Sequence, residues 1–314
     1  MKLFLILFII LMAFLRAQEV LPSHIFKASG LVSDFIFDAK KLYIATDNGV
    51  VDVFDIQSKK QINSIILPIT RSGLNQIIPA KIHSIDNYNN VLVIVSSGIN
   101  GFRDVYLYHD KLEKIIDAKN ELFIKEAHFS NDHQVVFATF ASEAILYDFS
   151  ENYALYTTQV SPSHQGDFTL NASKTEMLNS DEAGIVQRSD IKTAKLLQTY
   201  DTQNVDKVFH IAYEKGTLIT GGQDRRVGVY PKNETPYYIK SDFLVYCVGL
   251  TPNAKKAVYV KNEDNDLQLF DVSSKKLEDT FVGDHTLVTQ IKFINNHSFL
   301  SSGRSNKVYY FKFR

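Results

Sequence analysis

The sequence predicts an all-β chain, and three observations support this fold class. Runs of strand-forming residues are broken by turn residues about every 8–12 positions, and no long stretch has the hydrophobic period of a helix. Phe and Tyr, which favour strands, number 22 and 16. A two-residue pair that ends a strand recurs at intervals of 54, 39, 42, 41, 40 and 40 residues. These pairs are Phe54-Asp55, Tyr108-His109, Tyr147-Asp148, Ser189-Asp190, Tyr230-Pro231, Phe270-Asp271 and Tyr310-Phe311.

The amino-terminal segment is predicted to be a secretory signal peptide. Lys2 precedes an unbroken apolar run from Leu3 to Leu15. Such a run spans about 20 Å as a helix, less than the roughly 30 Å of a membrane core. A basic start and a small residue at the end are typical of a signal peptide, with cleavage after Ala17. We therefore expect a periplasmic protein, and the alternative is an uncleaved anchor.

A repeat of about 40–45 residues is typical of a β-propeller blade made of four strands. In the first repeat, alternating strand 32–37 is followed by strand 42–46, a polar turn and strand 50–55. A basic turn at 57–60 then leads to an outer strand. Seven repeats of about 41 residues account for nearly all of the chain after the signal peptide. Residues 18–314 are thus predicted to form one propeller domain, with blades starting near 28, 80, 124, 165, 205, 241 and 285.

The seventh repeat lacks a segment for its outermost strand, because the chain ends at Arg314. Residues 20–27 precede the first repeat and have no place in it. Sheet edges with unpaired backbone groups are unfavourable. The sequence therefore predicts that residues 20–27 complete the last blade and close the ring.

The repeats resemble degenerate WD repeats. Residues 220–230, Thr-Gly-Gly-Gln-Asp-Arg-Arg-Val-Gly-Val-Tyr, are similar to the hairpin between the second and third strands of a WD blade. The chain has no Trp, and Tyr or Phe replaces the strand-ending Trp of that family in every blade except the fourth, which has Ser189. With the signal peptide, these features are similar to the NapL-type propellers associated with bacterial periplasmic nitrate reductases. This resemblance implies a non-catalytic role in maturation or assembly, with a reductase subunit or precursor as protein partner.

Composition argues against several other functions. The net charge is −1, which does not favour nucleic-acid binding, and we expect no membrane association after cleavage of the leader. A single cysteine, Cys247, excludes a disulfide framework and C-x-x-C sites; its apolar surroundings predict a small buried residue. We expect a monomer without a cofactor.

No residue pattern predicts a catalytic or metal site. The nine histidines are scattered, residues 163–167 with Ser, His and Asp are interpreted as a loop, and acidic residues 262–266 as a solvated turn. A hydrolase or lyase with a site in the central funnel is the contrasting hypothesis, and a scaffold of an envelope complex is a further one. An enzyme should carry acids or histidines at the starts of its inner strands. The sequence places Val32, Val205, Val245 and Val288 at those starts, with Lys125 and Glu126 as exceptions.

Function is instead expected on loops at one end of the ring, because propeller strands are occupied by pairing. The long 54-residue interval places extra residues at 68–76 and 97–104, both on this end. Arginine is enriched at protein interfaces. The predicted protein-binding rim comprises Arg71, Phe102, Arg103, Arg225, Arg226 and Arg304.

Overall fold

Seven small antiparallel sheets form a ring in the computed structural model, which describes residues 19–38, 40–71, 74, 76–283 and 286–314. The predicted seven-bladed β-propeller is confirmed. The innermost strand of each blade contacts those of the two neighbouring blades, and the last blade contacts the first. No helix in the described part of the chain is long and apolar enough to cross a membrane. The predicted signal peptide, residues 1–17, lies outside the described residues.

The strands follow one another in blade order. Two short strands precede the first blade, β1 (Glu19–Val20) and β2 (His24–Lys27). Blade 1 comprises β3 (Val32–Asp38), β4 (Lys41–Thr46), β5 (Val50–Asp55) and β6 (Gln61–Ile66). A short hairpin, β7 (Thr70–Arg71) with β8 (Ile77–Ile78), joins it to blade 2. Blade 2 comprises β9 (Ile82–Tyr88), β10 (Val91–Ser97), β11 (Arg103–Tyr108) and β12 (Leu112–Ile116), with 3-10 turns at Ile99–Gly101 and Ala118–Asn120.

The other five blades have the same order. Blade 3 comprises β13 (Ile124–Phe129), β14 (Gln134–Thr139), β15 (Glu143–Asp148) and β16 (Tyr153–Gln159). Blade 4 comprises β17 (Gln165–Leu170), β18 (Glu176–Asp181), β19 (Val186–Asp190) and β20 (Leu196–Tyr200). Blade 5 comprises β21 (Val208–Glu214), β22 (Thr217–Gly222), β23 (Arg226–Tyr230) and β24 (Tyr237–Lys240). Blade 6 comprises β25 (Val248–Leu250), β26 (Lys256–Val260), β27 (Leu267–Asp271) and β28 (Leu277–Phe281), and blade 7 contains β29 (Val288–Asn295), β30 (Ser298–Gly303) and β31 (Lys307–Lys312).

The ring is closed by β2, which pairs antiparallel with β31 and is the outermost strand of blade 7. This confirms the predicted closure. The structure adds a detail that was not predicted, because residues 19–27 form two strands rather than one. Strand β1 pairs parallel with β28, with Val20 opposite Phe281, and so extends blade 6 to five strands. Residues 19–27 therefore cover the outer edges of two adjacent blades, blades 6 and 7.

Apolar side chains fill the spaces between neighbouring blades. Phe26 of β2 is 1% exposed and makes an edge-to-face contact with Phe54 of blade 1, with ring centroids 5.5 Å apart. Tyr230, which ends the third strand of blade 5, is buried and packs edge-to-face on Tyr200 at 5.1 Å. Phe and Tyr thus provide aromatic packing between blades in a chain that has no Trp.

The two ends of the ring differ. One end, here the link face, carries the blade-to-blade links and the hairpins between the second and third strands of each blade. Backbone hydrogen bonds join these elements, for example from Asp47 N–H to the Leu31 carbonyl and from Arg304 N–H to the Leu287 carbonyl. The other end, the turn face, carries the remaining hairpins. Each innermost strand runs from the link face towards the turn face.

Candidate functional site

The innermost strands share an irregularity at one level of the central channel. Six of them, all except β25, shift register near their first residues, as between Val32 and Asp34 in β3 or Val208 and His210 in β21. Such a bulge changes which face of the strand the following side chain occupies. One residue from each blade then lies at the same level. This channel ring consists of Asp34, Ser84, Glu126, Asp167, His210, Cys247 and Gln290.

Most of the channel ring holds neighbouring blades together. The Asp34 carboxylate accepts the Ile85 N–H at 2.8 Å, and Asp167 accepts the Ile211 N–H at 2.8 Å. Three other members face the equivalent N–H of the next blade: Ser84 that of Ala127 at 3.3 Å, Gln290 that of Phe35 at 3.0 Å, and the Cys247 sulfur that of Ile291. These contacts satisfy backbone donors that would otherwise lack a partner in the interior.

Glu126 is a member of the channel ring that makes no such contact. Its carboxylate lies 3.1 Å from the Lys125 ammonium and 3.7 Å from Nε2 of His128. Burial would raise the pKa of Glu126, but the adjacent Lys125 and His128 outweigh burial and lower it to about 2. Lys125 also donates to the Gly166 carbonyl and so joins blades 3 and 4 in place of the carboxylate. Glu126 is therefore a charged carboxylate inside the channel.

His210 is the other member without an interblade hydrogen bond. Its Nδ1 atom is buried, has no hydrogen-bond partner, and lies 3.9 Å from the Asp167 carboxylate. His128, one level further along the channel, stacks on Phe168 at 5.8 Å, and its Nε2 atom is also buried without a hydrogen bond. Two imidazoles and two carboxylates thus occupy the channel sector formed by blades 3, 4 and 5.

These side chains line a cavity of about 320 Å³ that extends from the channel ring towards the turn face. Asp34, Glu126, Asp167 and Glu214 contribute its carboxylates, and Lys292 its ammonium group. Burial raises the pKa of Asp34 against the opposing effect of Lys292, and burial raises that of Asp167 although His210 opposes it. Burial also raises the pKa of Glu214 to about 7. Perturbed acids in a cavity are characteristic of functional sites.

The expectation that valines rather than acids or histidines occupy the channel-facing strand starts, with Lys125 and Glu126 as exceptions, is wrong. Val32, Val245 and Val288 belong to buried apolar clusters between blades, and Val205 lies in a link before β21, 68% exposed. In β3, β21 and β29, the channel-facing residue is the first one after the bulge, two positions after the first residue of the strand. These residues are Asp34, His210 and Gln290. A polar residue two places after the valine, as in Val32-x-Asp34 and Val288-x-Gln290, was the available signal.

A second feature is an apolar surface on the link face of blades 2 and 3. We call it the rim patch, and it consists of Ile99, Phe102, Phe123 and Phe140. Phe123 and Phe140 are 50% and 44% exposed, and the Phe102 and Phe123 rings are 4.6 Å apart. The Phe140 N–H donates to the Phe123 carbonyl, which holds the two aromatic residues side by side. Large aromatic residues grouped on a surface are characteristic of protein-binding sites.

The link between blades 1 and 2 adds further apolar side chains to this face. Ile69, Leu74 and Ile77 are 68%, 84% and 61% exposed. In this link, β7 pairs with β8 to form a small hairpin that stands outside the blades. The two predicted loop expansions therefore lie on the same face, as expected, and together they make it more apolar than the sequence interpretation had supposed.

The six predicted rim residues do not form one group. Phe102 belongs to the rim patch and Arg71 ends β7 in the link between blades 1 and 2, whereas Arg225, Arg226 and Arg304 belong to hairpins of blades 5 and 7. Arg225 and Arg304 are exposed. Arg226 is half-buried: it donates to the Gln203 carbonyl at 3.1 Å and lies over the Tyr238 ring.

The expectation that Arg103 is a surface contact residue is wrong. Its side chain is 9% exposed, and Nη1 donates to the Gly101 carbonyl. Its guanidinium lies 5.7 Å from the centre of the Phe140 ring, and burial lowers the pKa of this group. Arg103 therefore supports the rim patch from beneath, and the hairpin that carries it folds back over its side chain.

The interpretations of Cys247, of residues 163–167 and of residues 262–266 can be compared with the structure. Cys247 is fully buried and is a free thiol. Asp167 points into the channel, so it does not form a triad with Ser163, whose carbonyl accepts from Ser142 Oγ. Residues 262–266 form a turn in which the Asn262 amide donates to Asp266. Within the described ranges, no group of three or more His, Cys, Asp or Glu side chains is placed to hold a metal ion.

Comparison with known proteins adds no family assignment. No protein-family model matches the chain, and no curated protein matches it. The propeller architecture is therefore established by the structure alone.

Proposed function

We propose that this chain is a non-catalytic propeller that binds a partner protein through the link face of blades 1–3. The rim patch is the observation that carries the proposal. Three Phe side chains and Ile99 are grouped there, and two of these rings are about half exposed to solvent. Burying such a patch against an apolar segment of a partner is favourable at roughly 25 cal/mol per Å². Aromatic anchors of this kind contribute much of the affinity at protein interfaces.

The WD-like hairpin, the Trp-free repeats and the predicted leader support a more specific role. By their resemblance to NapL-type proteins, we propose a periplasmic factor for maturation or assembly of a periplasmic nitrate reductase. The partner would be a subunit or precursor of that enzyme. The apolar rim patch suits a partner that still exposes apolar surface, as an enzyme precursor does before its final assembly.

The test is a binding measurement between the mature chain and the purified catalytic subunit of the nitrate reductase from the same organism. We expect binding that Phe123→Asp and Phe140→Asp each weaken by about tenfold or more, as for central aromatic contacts. Leu277→Asp is the matched control, because Leu277 is 50% exposed but lies on an outer strand of blade 6. Absence of binding would contradict the proposed partner, and equal binding by all variants would contradict the proposed surface.

The central cavity favours a second candidate, a hydrolase or lyase with a site in the funnel. Glu126, His128, Asp167 and His210 are the residue types of general acid–base catalysis, and all of them line the cavity. If the chain is such an enzyme, the His210→Asn variant should lose catalytic turnover, and any binding of a partner protein should stay unchanged. If the chain is a protein-binding propeller, partner binding should depend on the rim patch and should not change in the His210→Asn variant.

A further inference from the structure

The central cavity is lined by more acidic side chains than basic ones. Four carboxylates line it: those of Asp34, Glu126, Asp167 and Glu214. Lys292 lies 3.9 Å from Asp34, and Lys125 pairs with Glu126 at 3.1 Å. Among the described residues, neither Asp167 nor Glu214 forms an ion pair with a lysine or arginine, although Lys125 acts electrostatically on Asp167 and Lys215 on Glu214. The cavity is therefore suited to a cationic ligand.

Asp167 and Glu214 retain the capacity to bind such a ligand. Oδ2 of Asp167 accepts the Ile211 N–H, and the neighbouring Nδ1 of His210 is buried without a partner. Glu214 makes no side-chain hydrogen bond or ion pair within the described part of the chain, and only the adjacent Lys215 acts on it electrostatically. A buried carboxylate without a counterion is unfavourable unless something else neutralises it.

The walls of the cavity indicate an organic cation rather than a metal ion. Aromatic side chains line it alongside the carboxylates: Phe37, Phe168, Tyr213 and Phe293. Aromatic rings attract alkylammonium groups and pack against methylene chains. The described residues offer no arrangement of three metal-ligating side chains. A volume of about 320 Å³ is also far larger than a single ion needs and lies at the small end of organic-ligand cavities.

The distance between Asp167 and Glu214 further defines the ligand. His210, which lies beside Asp167, and Glu214 are four residues apart on β21. At about 3.3 Å per residue, these positions are separated by roughly 13 Å along the strand. One carboxylate thus lies deep, at the channel ring, and the other lies near the turn face. We propose that the cavity binds a flexible organic polyamine, with one terminal ammonium group at Asp167 and the other at Glu214.

Isothermal titration calorimetry with spermidine at pH 8, above the raised pKa of Glu214, tests this proposal on residues 18–314. We expect saturable binding that Asp167→Asn and Glu214→Gln each weaken by about tenfold or more, because each variant removes one buried ionic partner. N-acetylputrescine, which has a single ammonium group, should bind more weakly than spermidine. The Asp167→Asn substitution keeps a carbonyl oxygen that can accept the Ile211 N–H. Far-UV circular dichroism melting will verify that both variants are folded.

Glu182→Gln is the matched control, because Glu182 is an exposed carboxylate on the link face that pairs with Lys207. It should bind spermidine as the unmodified chain does. Absence of saturable binding at millimolar spermidine would overturn the proposal, and so would equal affinities in all variants. Competition by Mg²⁺ or Zn²⁺ that abolishes spermidine binding at equimolar concentration would also overturn it, in favour of a metal site. The proposal does not depend on a protein partner, so its failure would leave the rim-patch proposal intact.

Discussion

Closure of the ring by β2 leads to a prediction about stability. Phe26 is the buried residue of this strand, 1% exposed, and it packs on Phe54 between blades 7 and 1. Phe26→Ala would leave the backbone pairing of β2 with β31 possible but remove the side chain that anchors it. Because β2 provides the outermost strand of blade 7, loosening it exposes the edge of β31.

The expected loss of stability can be estimated from this geometry. Replacing a fully buried Phe by Ala costs about 3–5 kcal/mol, because burial is lost and a cavity remains. The edge-to-face contact with Phe54 contributes about 0.5–1.5 kcal/mol of such an effect. Ile25 provides the control, because it is adjacent on the same strand but 38% exposed. Ile25→Ala should cost only about 1–2 kcal/mol, because much of this side chain is already exposed.

Urea unfolding followed by far-UV circular dichroism measures both effects. We expect a clearly lower midpoint for Phe26→Ala and a markedly smaller decrease for Ile25→Ala. A free energy of unfolding of about 5–15 kcal/mol is typical, so the first effect is a large fraction of the total. Equal and small shifts for the two variants would refute the conclusion that β2 anchors the ring through Phe26.

Two other predictions concern buried ionisable groups. Burial raises the pKa of Glu214 from 4.5 to about 7, so the folded state holds this proton more tightly than the unfolded state, and stability should fall as pH rises from about 4.5 to 7. Between pH 5 and pH 8, the unmodified chain should lose about 1–2 kcal/mol of unfolding free energy through this group after solvent screening, and Glu214→Gln should not. Thermal melts at the two pH values will measure this difference. The same pH profile in both proteins would contradict the prediction. Burial raises the pKa of the Cys247 thiol well above its ordinary value, so a thiol reagent such as DTNB should react with Cys247 only after unfolding. Rapid reaction of the native chain would contradict this burial.

The blade architecture could be predicted because it repeats. The strand-ending pairs recur with nearly constant spacing, and the missing outer strand of blade 7 had one unassigned segment to supply it. The parallel pairing of Val20 with Phe281 could not be predicted in the same way. This pairing involves only two residues, and it depends on the path of the segment that precedes β2. A repeat pattern contains no information about that path.

The channel residues could not be predicted because strand periodicity fails at a bulge. Strict alternation would place Val32 and Asp34 on the same face, but the register shift between them puts them on different faces, so Asp34 faces the channel and Val32 does not. The prediction for Arg103 failed for a different reason. A hairpin arginine is usually exposed, but here the 3-10 turn at residues 99–101 brings the Gly101 carbonyl within reach of its guanidinium.

The two exceptions in the channel ring lie on either side of Asp167, and this position bears on function. A ring that served only to hold blades together would accept a backbone N–H at every position, as Asp34 and Gln290 do. Glu126 and His210 do not, although unpaired or charged groups in an interior cost free energy. The presence of a charged Glu126 and an unpaired His210 Nδ1 in one sector, facing the cavity, is therefore better explained by a ligand at Asp167 than by the assembly of the blades.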